Sequence, residues 1–403
     1  KKGISLNIVL EEDAQMLGEV EVVAYGVQKK VSVTGAISSM RGDDLLKTPA
    51  GSISNILSGQ VTGISSVQYS GEPGADAADI YVRGIATTNN ATPLIQVDGV
   101  ERDFSQIDPN EIESVTILKD ASATSIYGAR GANGVVLVTT KQGKNGKPKV
   151  SIGAKYTLQQ VTKKMDMLNA VQLAELGNEA TDNAGEERNP VFAGLNNLSK
   201  LNTDWQDEIF RTAPMQNYDI SVSGGNDKTT YFVSGNLLLQ DGIIIGSDFG
   251  KGSFRINLGQ QINKWLKTGV SVNLSYSRSN GVVTNSEGGF ASSITSWALE
   301  MNPALPVRNE SGDYIYENNL TTTNNVGNPV QDAYEAKNRN TSFRTLANAY
   351  LEWVPIKNLT FKTSIGVDYF YIKDQAFAPG EIKRAESNGG YASIGNRDGY
   401  NWV

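Results

Sequence analysis

The residue types that carry most enzyme chemistry are missing from this chain of 403 residues. It contains no histidine and no cysteine, which excludes Ser-His-Asp triads, thiolate nucleophiles and Cys/His zinc sites. The 43 acidic residues are scattered along the chain, and no acid pair suited to general acid–base catalysis is visible. We therefore expect a protein that is not an enzyme, with no catalytic residues, no metal ligands and no cofactor.

One glycine-rich stretch contains the residue type that phosphate-binding loops use. Its glycines are Gly128, Gly131 and Gly134. A nucleotide-binding loop must lead into the N-terminus of a helix, whereas the apolar, β-branched run at 135–140 predicts a strand. The net charge of −7 also argues against a nucleic acid partner. We expect neither nucleotide nor nucleic acid to bind.

The first third of the chain has the pattern of a small α/β domain. Short apolar runs that predict strands occur at 63–68, 79–84, 93–99 and 134–140. The sequence Asp108-Pro109-Asn110-Glu111 combines an N-cap residue, a proline and a glutamate in the order that begins a helix. Glycines interrupt the pattern too often for a doubly wound sheet.

Beyond residue 149 the pattern changes to strict alternation of apolar and polar residues. The alternation is clearest at 266–277 and 359–371, where one side of each segment is apolar and the other is polar. Segments of about ten alternating residues are typical of transmembrane β-strands. About seven such strands are predicted, the remaining ones at 150–158, 218–223, 231–239, 254–262 and 343–353.

The connections between these strands alternate between tight and longer ones. Tight links are predicted at 224–227, 263–265 and 355–358, and long connections at 159–215 and 278–342. This order is typical of an outer-membrane barrel, with long loops outside and tight turns on the periplasmic side. A spanning sheet must close, so we expect the chain to stop in mid-barrel, in an outward-facing loop after Trp402.

Several motifs resemble a known family. The motifs are EVVAYGVQKK at 21–30, VTGAIS at 33–38, YVRG at 81–84, PLIQVDGV at 93–100 and LKDASATSIYGARGANGVV at 118–136. They are similar to the SusC/RagA-type TonB-dependent transporters, densely over residues 2–142 and only in pattern beyond.

The resemblance implies a plug domain inside a transmembrane β-barrel of about 22 strands. It divides the chain into the end of an upstream β-sandwich-like domain with a linker (1–18), a TonB box with a plug (19–148) and the first barrel strands (149–403). It also implies import of oligosaccharides or peptides across the outer membrane of a Gram-negative bacterium, with a SusD-like surface lipoprotein as lid and TonB with its inner-membrane partners as the energy source. A siderophore or vitamin receptor, or a surface adhesin or scaffold barrel, are the alternatives.

Two sets of candidate residues follow within the plug. The segment 19–25 is either the first plug strand or a TonB box, since an extended segment can add to a partner sheet through main-chain bonds. Its residues are Glu19, Val20, Glu21, Val22, Val23, Ala24 and Tyr25.

Arg83, Arg130 and Asp98 are candidates for an ionic lock. The two arginines pair either with lumenal carboxylates such as Asp219, Glu352 or Asp368, or with groups inside the plug.

The two long connections are candidates for docking the lipoprotein. Loops much longer than ordinary connections are usually functional, and aromatic side chains dominate the binding energy of protein interfaces. The candidate anchors are Trp205, Phe210, Trp297, Tyr314 and Tyr316.

Overall fold

The computed structural model describes residues 20–23, 26–29, 37–47, 52–102, 107–188, 201–284, 293–315, 326–386 and 389–402. These residues form two compact units. The first takes the described residues within Lys1–Thr48, Ile56–Val67 and Asp79–Lys141. The second takes those within Pro49–Asn55, Gln68–Ala78 and Gln142–Val403.

The first unit is built around a five-stranded mixed sheet with the strand order β3-β8-β9-β6-β7. Only β6 and β9 run parallel; the other neighbours are antiparallel. Two hairpins, β1-β2 and β4-β5, are separate two-stranded sheets. The strands are β1 (Val20–Val23), β2 (Gly26–Lys29), β3 (Ile37–Arg41), β4 (Ile64–Val67), β5 (Asp79–Val82), β6 (Leu94–Val97), β7 (Val100–Glu101), β8 (Ile112–Leu118) and β9 (Val135–Thr140).

Short helices connect these strands, and they account for the predicted α/β character. They are α1 (Gly42–Leu45), α3 (Ala121–Thr124) and the 3₁₀ turns Pro109–Glu111 and Ser125–Gly131. Helix α2 (Ile53–Leu57) is divided between the two units, with Ile53–Asn55 in the second and Ile56–Leu57 in the first. Asp108 caps the first of these turns as predicted, because its carboxylate accepts a hydrogen bond from the Asn110 N–H. The sheet is covered by a buried cluster of Leu94, Leu118, Tyr127, Val135 and Leu137.

The second unit is an eight-stranded antiparallel sheet in which every strand pairs with its neighbour in the chain. Its strands are β10 (Gly146–Gln159), β11 (Ala213–Gly225), β12 (Thr229–Asp241), β13 (Asp248–Asn263), β14 (Leu266–Gly281), β15 (Lys337–Ile356), β16 (Leu359–Pro379) and β17 (Gly390–Trp402). Its helices are α4 (Ala170–Ala184), α5 (Trp205–Ile209), α6 (Ile294–Glu300), α7 (Pro329–Glu335) and α8 (Lys383–Glu386). Among the described residues, no helix is both long enough and apolar enough to cross a membrane.

The faces of this sheet have the reverse of the polarity found in water-soluble sheets. Along β14, Val270 and Tyr276 are 47% and 52% exposed, whereas Asn273 and Ser275 are 1% and 4% exposed. In the middle strands β12–β14 the apolar face is therefore the open one and the polar face is covered, whereas residues on both faces of β10 and β17 are exposed. Such an arrangement is favourable when the open face meets hydrocarbon instead of water.

The alternating segments predicted as strands are all strands, and the described sheet has one strand more than the seven segments identified. The eighth strand, β17, lies at Gly390–Trp402, where the sequence predicted an outward-facing loop. Asn396 and Asp398 lie between Ile394 and Tyr400 at positions where the alternation requires apolar residues, so the sequence pattern does not predict this strand. Main-chain pairing with β16, from Pro379 opposite Gly390 to Val367 opposite Trp402, forms the strand nevertheless.

The predicted order of tight and longer connections is confirmed. Two or three residues link β11 to β12, β13 to β14 and β15 to β16, whereas 160–212 and 282–336 make the two long connections. The shorter loops 242–247 and 380–389 lie at the same end of the strands as the long ones, because each strand reverses direction.

An ion pair on the covered face joins two adjacent strands. Arg344 on β15 donates from Nε to one carboxylate oxygen of Asp368 on β16 at 2.8 Å, and from Nη2 to the other at 2.5 Å. The Asp368 side chain is buried at 6% exposure, and the Arg344 side chain is largely covered at 15% exposure. Two parallel bonds of this kind fix the orientation of the two groups as well as their charges.

Removing one partner of this buried pair should be costly. Arg344→Ala leaves the Asp368 carboxylate buried without its guanidinium, and we expect it to lower the free energy of unfolding by about 3–5 kcal/mol. Arg397→Ala is the matched control, since its pair with Asp374 is exposed and is worth about 0–1 kcal/mol. Urea titration of the full-length protein in lipid vesicles measures both. Equal losses in the two variants would contradict the burial of the pair.

Candidate functional site

The candidate TonB box is part of a hairpin. Val20–Val23 forms strand β1, which pairs antiparallel with Gly26–Lys29 from Val20 opposite Lys29 to Val23 opposite Gly26. Glu19, Ala24 and Tyr25 lie outside the described residues. Within the described part of the chain, β1 has a strand on one edge only. Its second edge is the kind of surface to which an extended partner strand can add.

The glycine-rich motif at 118–136 serves the architecture of the first unit. Lys119 donates to Ser38 Oγ at 2.6 Å and to the Thr62 carbonyl at 2.7 Å, which ties together three distant parts of the chain. At Gly134 φ is +89°, and a Cβ there would lie 2.7 Å from the Val82 side chain. Strand β9 follows directly. The loop after Gly131 therefore leads into a strand and not into the N-terminus of a helix.

The structure agrees with the second of the two alternatives predicted for the arginines, which is pairing with groups inside the plug and not with lumenal carboxylates. Arg83 pairs with Asp120 at 2.7 Å and Arg130 pairs with Glu101 at 2.6 Å, and all four residues belong to the first unit. Asp368, one of the predicted lumenal partners, is bonded to Arg344 instead. Both arginine side chains are more than half exposed, so each pair contributes little to stability.

Asp98, the third lock candidate, holds a turn. It has a positive φ of +52° and is followed by Gly99 at +83°, the combination that a two-residue hairpin turn between β6 and β7 requires. Its carboxylate accepts hydrogen bonds from the Thr140 N–H at 2.9 Å and the Thr140 hydroxyl at 2.6 Å. Asp98 therefore fixes this turn to the end of β9.

A short segment of the plug-like part of the sequence is attached to the eight-stranded sheet. Residues 68–78 cluster with the second unit, and Glu72 Oε1 accepts a hydrogen bond from the Val282 N–H at 3.0 Å. A Cβ at Gly281 would lie 2.3 Å from the same oxygen, and a Cβ at Gly74 would lie 2.4 Å from the Phe249 ring. The segment therefore meets the sheet at two close contacts, on β13 and at the end of β14.

Two half-buried carboxyl groups make this attachment sensitive to pH. Burial raises the pKa of Glu72 above its ordinary value, and the bond from Val282 opposes the change. Burial also raises the pKa of Asp76, against bonds from its own backbone and from Asn55. The folded segment therefore takes up protons before the unfolded chain does as the pH falls. Its stability is greatest at mildly acidic pH and declines as the pH rises through the folded-state pKa values.

The two long connections fold into a helical layer with its own core. Helices α5, α6 and α7 bury Trp205, Ile209, Ile294, Trp297 and Val330, and Val282 belongs to the same cluster. The Trp205 indole N–H donates to the Asn302 carbonyl at 3.0 Å. We call this the loop layer, comprising the described residues of 160–212 and 282–336.

This core corrects the predicted docking anchors. Trp205 and Trp297 are 3% and 1% exposed, and Phe210 and Tyr314 pack against the same cluster. Large apolar side chains inside a layer stabilise its fold and have little surface left for a partner. Tyr316 lies outside the described residues. The sequence therefore identified aromatic residues that matter for the layer, and the burial of the two tryptophans argues against their direct contact with a partner.

The loop layer also has exposed apolar side chains that the sequence did not single out. One is aromatic, Tyr334 on α7, and five are aliphatic and lie on the first long connection, which includes α4: Met165, Met167, Leu168, Leu176 and Leu201. A methionine or leucine in polar sequence does not by itself indicate whether its side chain is exposed, whereas the structure shows which of them are open to solvent. Within the described ranges, no grouping of three or more acidic residues is arranged to hold a metal ion.

The Glu72 attachment can be tested by hydrogen exchange. Glu72→Ala removes the acceptor for Val282, and because a bond to a charged group is lost we expect exchange in 68–78 and at Val282 to accelerate about tenfold or more. Glu72→Gln keeps an oxygen that can accept the bond from Val282, so exchange should accelerate less than in Glu72→Ala. Because glutamine does not titrate, the part of the slowing of exchange at acidic pH that depends on protonation of Glu72 should be lost. Glu179→Ala, on the exposed face of α4, is the control. Unchanged exchange in Glu72→Ala would show that the segment is held by other contacts.

Comparison with known proteins agrees with these features. Residues 29–135 match the model of the TonB-dependent receptor plug domain. Over 98% of its length the chain is 33% identical to TonB-dependent receptor P3 of Formosa agariphila, and over 96% it is 31% identical to TonB-dependent receptor SusC of Bacteroides thetaiotaomicron. It covers 38% of each of these relatives, so it spans well under half their length.

The fold gives the same result. The structure of the RagAB peptide importer in its open-open state superposes with a TM-score of 0.77 at 27% identity, covering 90% of this chain and 43% of that one. The match includes both the mixed sheet of a plug and strands of an antiparallel barrel. Over nearly its whole length the chain is therefore similar to the SusC/RagA-type TonB-dependent receptors, and residues 29–135 match the plug domain of TonB-dependent receptors.

Proposed function

We propose that this chain serves TonB-dependent import of large nutrients, oligosaccharides or peptides, across the outer membrane of a Gram-negative bacterium. Residues 19–148 act as TonB box and plug, and residues from about 149 onwards form part of the barrel wall. The observation that carries the proposal is the sheet with its apolar face open and its polar face covered, in a chain that also matches a plug domain. A receptor of this kind needs both a wall in lipid and a movable plug.

Strand β1 is the element through which TonB would act. TonB supplies a pull, and a strand with an open edge can accept a partner strand through main-chain bonds with little demand on its side chains. The hairpin partner β2 covers one edge of β1. TonB therefore adds to the second edge or replaces β2.

Energy coupling can be tested at Val22, in the middle of β1. Val22→Pro removes a main-chain N–H and disfavours strand addition, so we expect uptake to fall to the level of a deletion of residues 19–25. Val22→Thr keeps the β-branched shape and the N–H and should preserve uptake. Uptake of labelled cargo by whole cells, with barrel assembly checked by heat-modifiable gel migration, measures this. Normal uptake after the deletion would place the TonB box elsewhere.

The loop layer is the proposed docking surface for a SusD-like lipoprotein. Large cargo must be captured and enclosed before the plug moves, which a lid above the barrel accomplishes. The layer has a rigid core and carries the exposed apolar side chains Met165, Met167 and Leu168 near the start of α4. An apolar patch on a rigid support is typical of a protein interface.

Docking can be tested without disturbing the core of the layer. The double variant Met167→Asp/Leu168→Asp places charges in the proposed interface, and we expect it to release the lipoprotein during purification in mild detergent. Ile85→Asp, an exposed apolar residue outside both long connections, is the matched control and should retain the lipoprotein. Co-purification of the two proteins from the native membrane is the measurement. Retention in the double variant would move the docking surface away from this patch.

A further inference from the structure

Each of the three tight turns of the eight-stranded sheet contains one lysine. The residues are Lys228 between β11 and β12, Lys264 between β13 and β14, and Lys357 between β15 and β16. All three are exposed, and within the described part of the chain no carboxylate forms an ion pair with them. The turns contain one acidic residue, Asp227, which accepts a hydrogen bond from the Asn145 side chain. They therefore carry three positive charges and one negative charge.

Asparagine side chains close the first two of these turns. Asn226 Oδ1 accepts hydrogen bonds from the N–H groups of Lys228 and Thr229 at 2.9 and 2.8 Å. Asn263 Oδ1 accepts a hydrogen bond from the Trp265 N–H at 2.9 Å. The backbone around two of the lysines is therefore fixed before any ligand arrives, which lowers the entropy that binding costs.

A band of large apolar side chains lies beside these turns on the open face of the sheet. Trp353 pairs directly with Leu266 on one side and with Phe361 on the other, so all three share the face of Val270. The Trp353 and Phe361 rings are stacked, with their centroids 5.6 Å apart, and both are about half exposed. Aromatic side chains at the ends of spanning strands are typical of the boundary between hydrocarbon and lipid headgroups. We call Leu266, Trp353 and Phe361 the apolar band, and its position puts the turn lysines at the level of the headgroups.

A second set of charges at this end of the strands belongs to the covered face. Lys267, Glu352 and Lys362 are direct cross-strand neighbours. Each is adjacent in sequence to a residue of the apolar band, so their row lies on the opposite face of the sheet. Glu352 stands between two lysines of its own row and offsets their charge instead of that of the turns. Strand β10 begins at the same end with two more lysines, Lys147 and Lys149.

We propose that the tight-turn end of the sheet binds anionic phospholipid headgroups of the periplasmic leaflet, the side on which short turns of outer-membrane barrels lie. The ammonium groups of Lys228, Lys264 and Lys357 contact the phosphodiester groups, and the acyl chains lie against Trp353 and Phe361. A lysine suits this position because its stem follows apolar surface while its charge reaches the phosphate.

The apolar band and the lysines together select this ligand. A soluble polyanion would contact the lysines and leave the apolar band without a partner. A phosphatidylcholine headgroup brings a cation of its own, which the lysines repel, whereas phosphatidylglycerol has a net negative charge. The proposal concerns the lipid around the barrel wall, so it stands whether or not the proposed import function is correct.

A local reporter beside Lys357 tests the assignment in the full-length receptor. Ile356→Cys, at an exposed position, carries a bimane fluorophore, and the receptor is placed in mixed vesicles of phosphatidylcholine and phosphatidylglycerol. Brominated acyl chains quench the fluorophore on contact, so bromine on one lipid or on the other reports which lipid lies at the site. We expect phosphatidylglycerol to be enriched there about fivefold or more, the effect of one lysine near a membrane surface. Raising the ionic strength to about 1 M should remove most of this enrichment.

Variants separate the turn lysines from positive charge elsewhere. Lys264→Gln/Lys357→Gln should abolish the enrichment, and Lys264→Arg/Lys357→Arg should preserve it. The control Lys163→Gln/Lys373→Gln removes two lysines near the other end of the strands and should leave it unchanged. Heat-modifiable gel migration checks the assembly of each variant. Equal quenching by the two lipids in the receptor with all its lysines, or enrichment that survives either Lys264→Gln/Lys357→Gln or high salt, would overturn the proposal.

Discussion

Backbone hydrogen bonding on a sheet with reversed polarity is the constraint on which the rest of this structure depends. In hydrocarbon each unpaired N–H or carbonyl group costs several kcal/mol, so every spanning strand must be paired along its length. Within the meander β10–β17 the six inner strands β11–β16 meet that requirement, because each is paired on both sides with the strands that precede and follow it in the chain. With its main-chain groups paired on both sides, β14 can leave Val270 and Tyr276 open on one face.

The reversed polarity creates a second requirement on the covered face. Polar groups such as Asn273, Arg344 and Asp368 are buried there, and buried polar groups need partners. Arg344 and Asp368 bond each other, and Glu72 brings a residue of the plug-like sequence to the end of β14. Val282, which donates that bond, also belongs to the core of the loop layer. One residue thus connects the plug segment with the surface where we propose that the lid docks.

The sequence predicts the regular parts of this fold well, because alternation is a local property. Segments such as 266–277 show both faces of a strand without further information. Strand β17 is hidden because Asn396 and Asp398 break its alternation and only pairing with β16 forms it. Trp205 and Trp297 were assigned to the surface because a sequence shows that a residue is aromatic but not which side of a folded loop it occupies. The Glu72–Val282 bond joins residues 210 positions apart, and no local pattern indicates such a contact.

The central claim is that the open apolar face of the sheet meets lipid. It can be tested most directly with spin labels at successive positions along β14 in the full-length protein in bilayers, from Gly269 to Leu274. Labels at Val270, Val272 and Leu274 should be accessible to molecular oxygen and protected from a water-soluble nickel reagent, and labels at Gly269, Ser271 and Asn273 should lack this lipid signature. Access of the nickel reagent to Val270, Val272 and Leu274, or the absence of any alternation, would contradict the account.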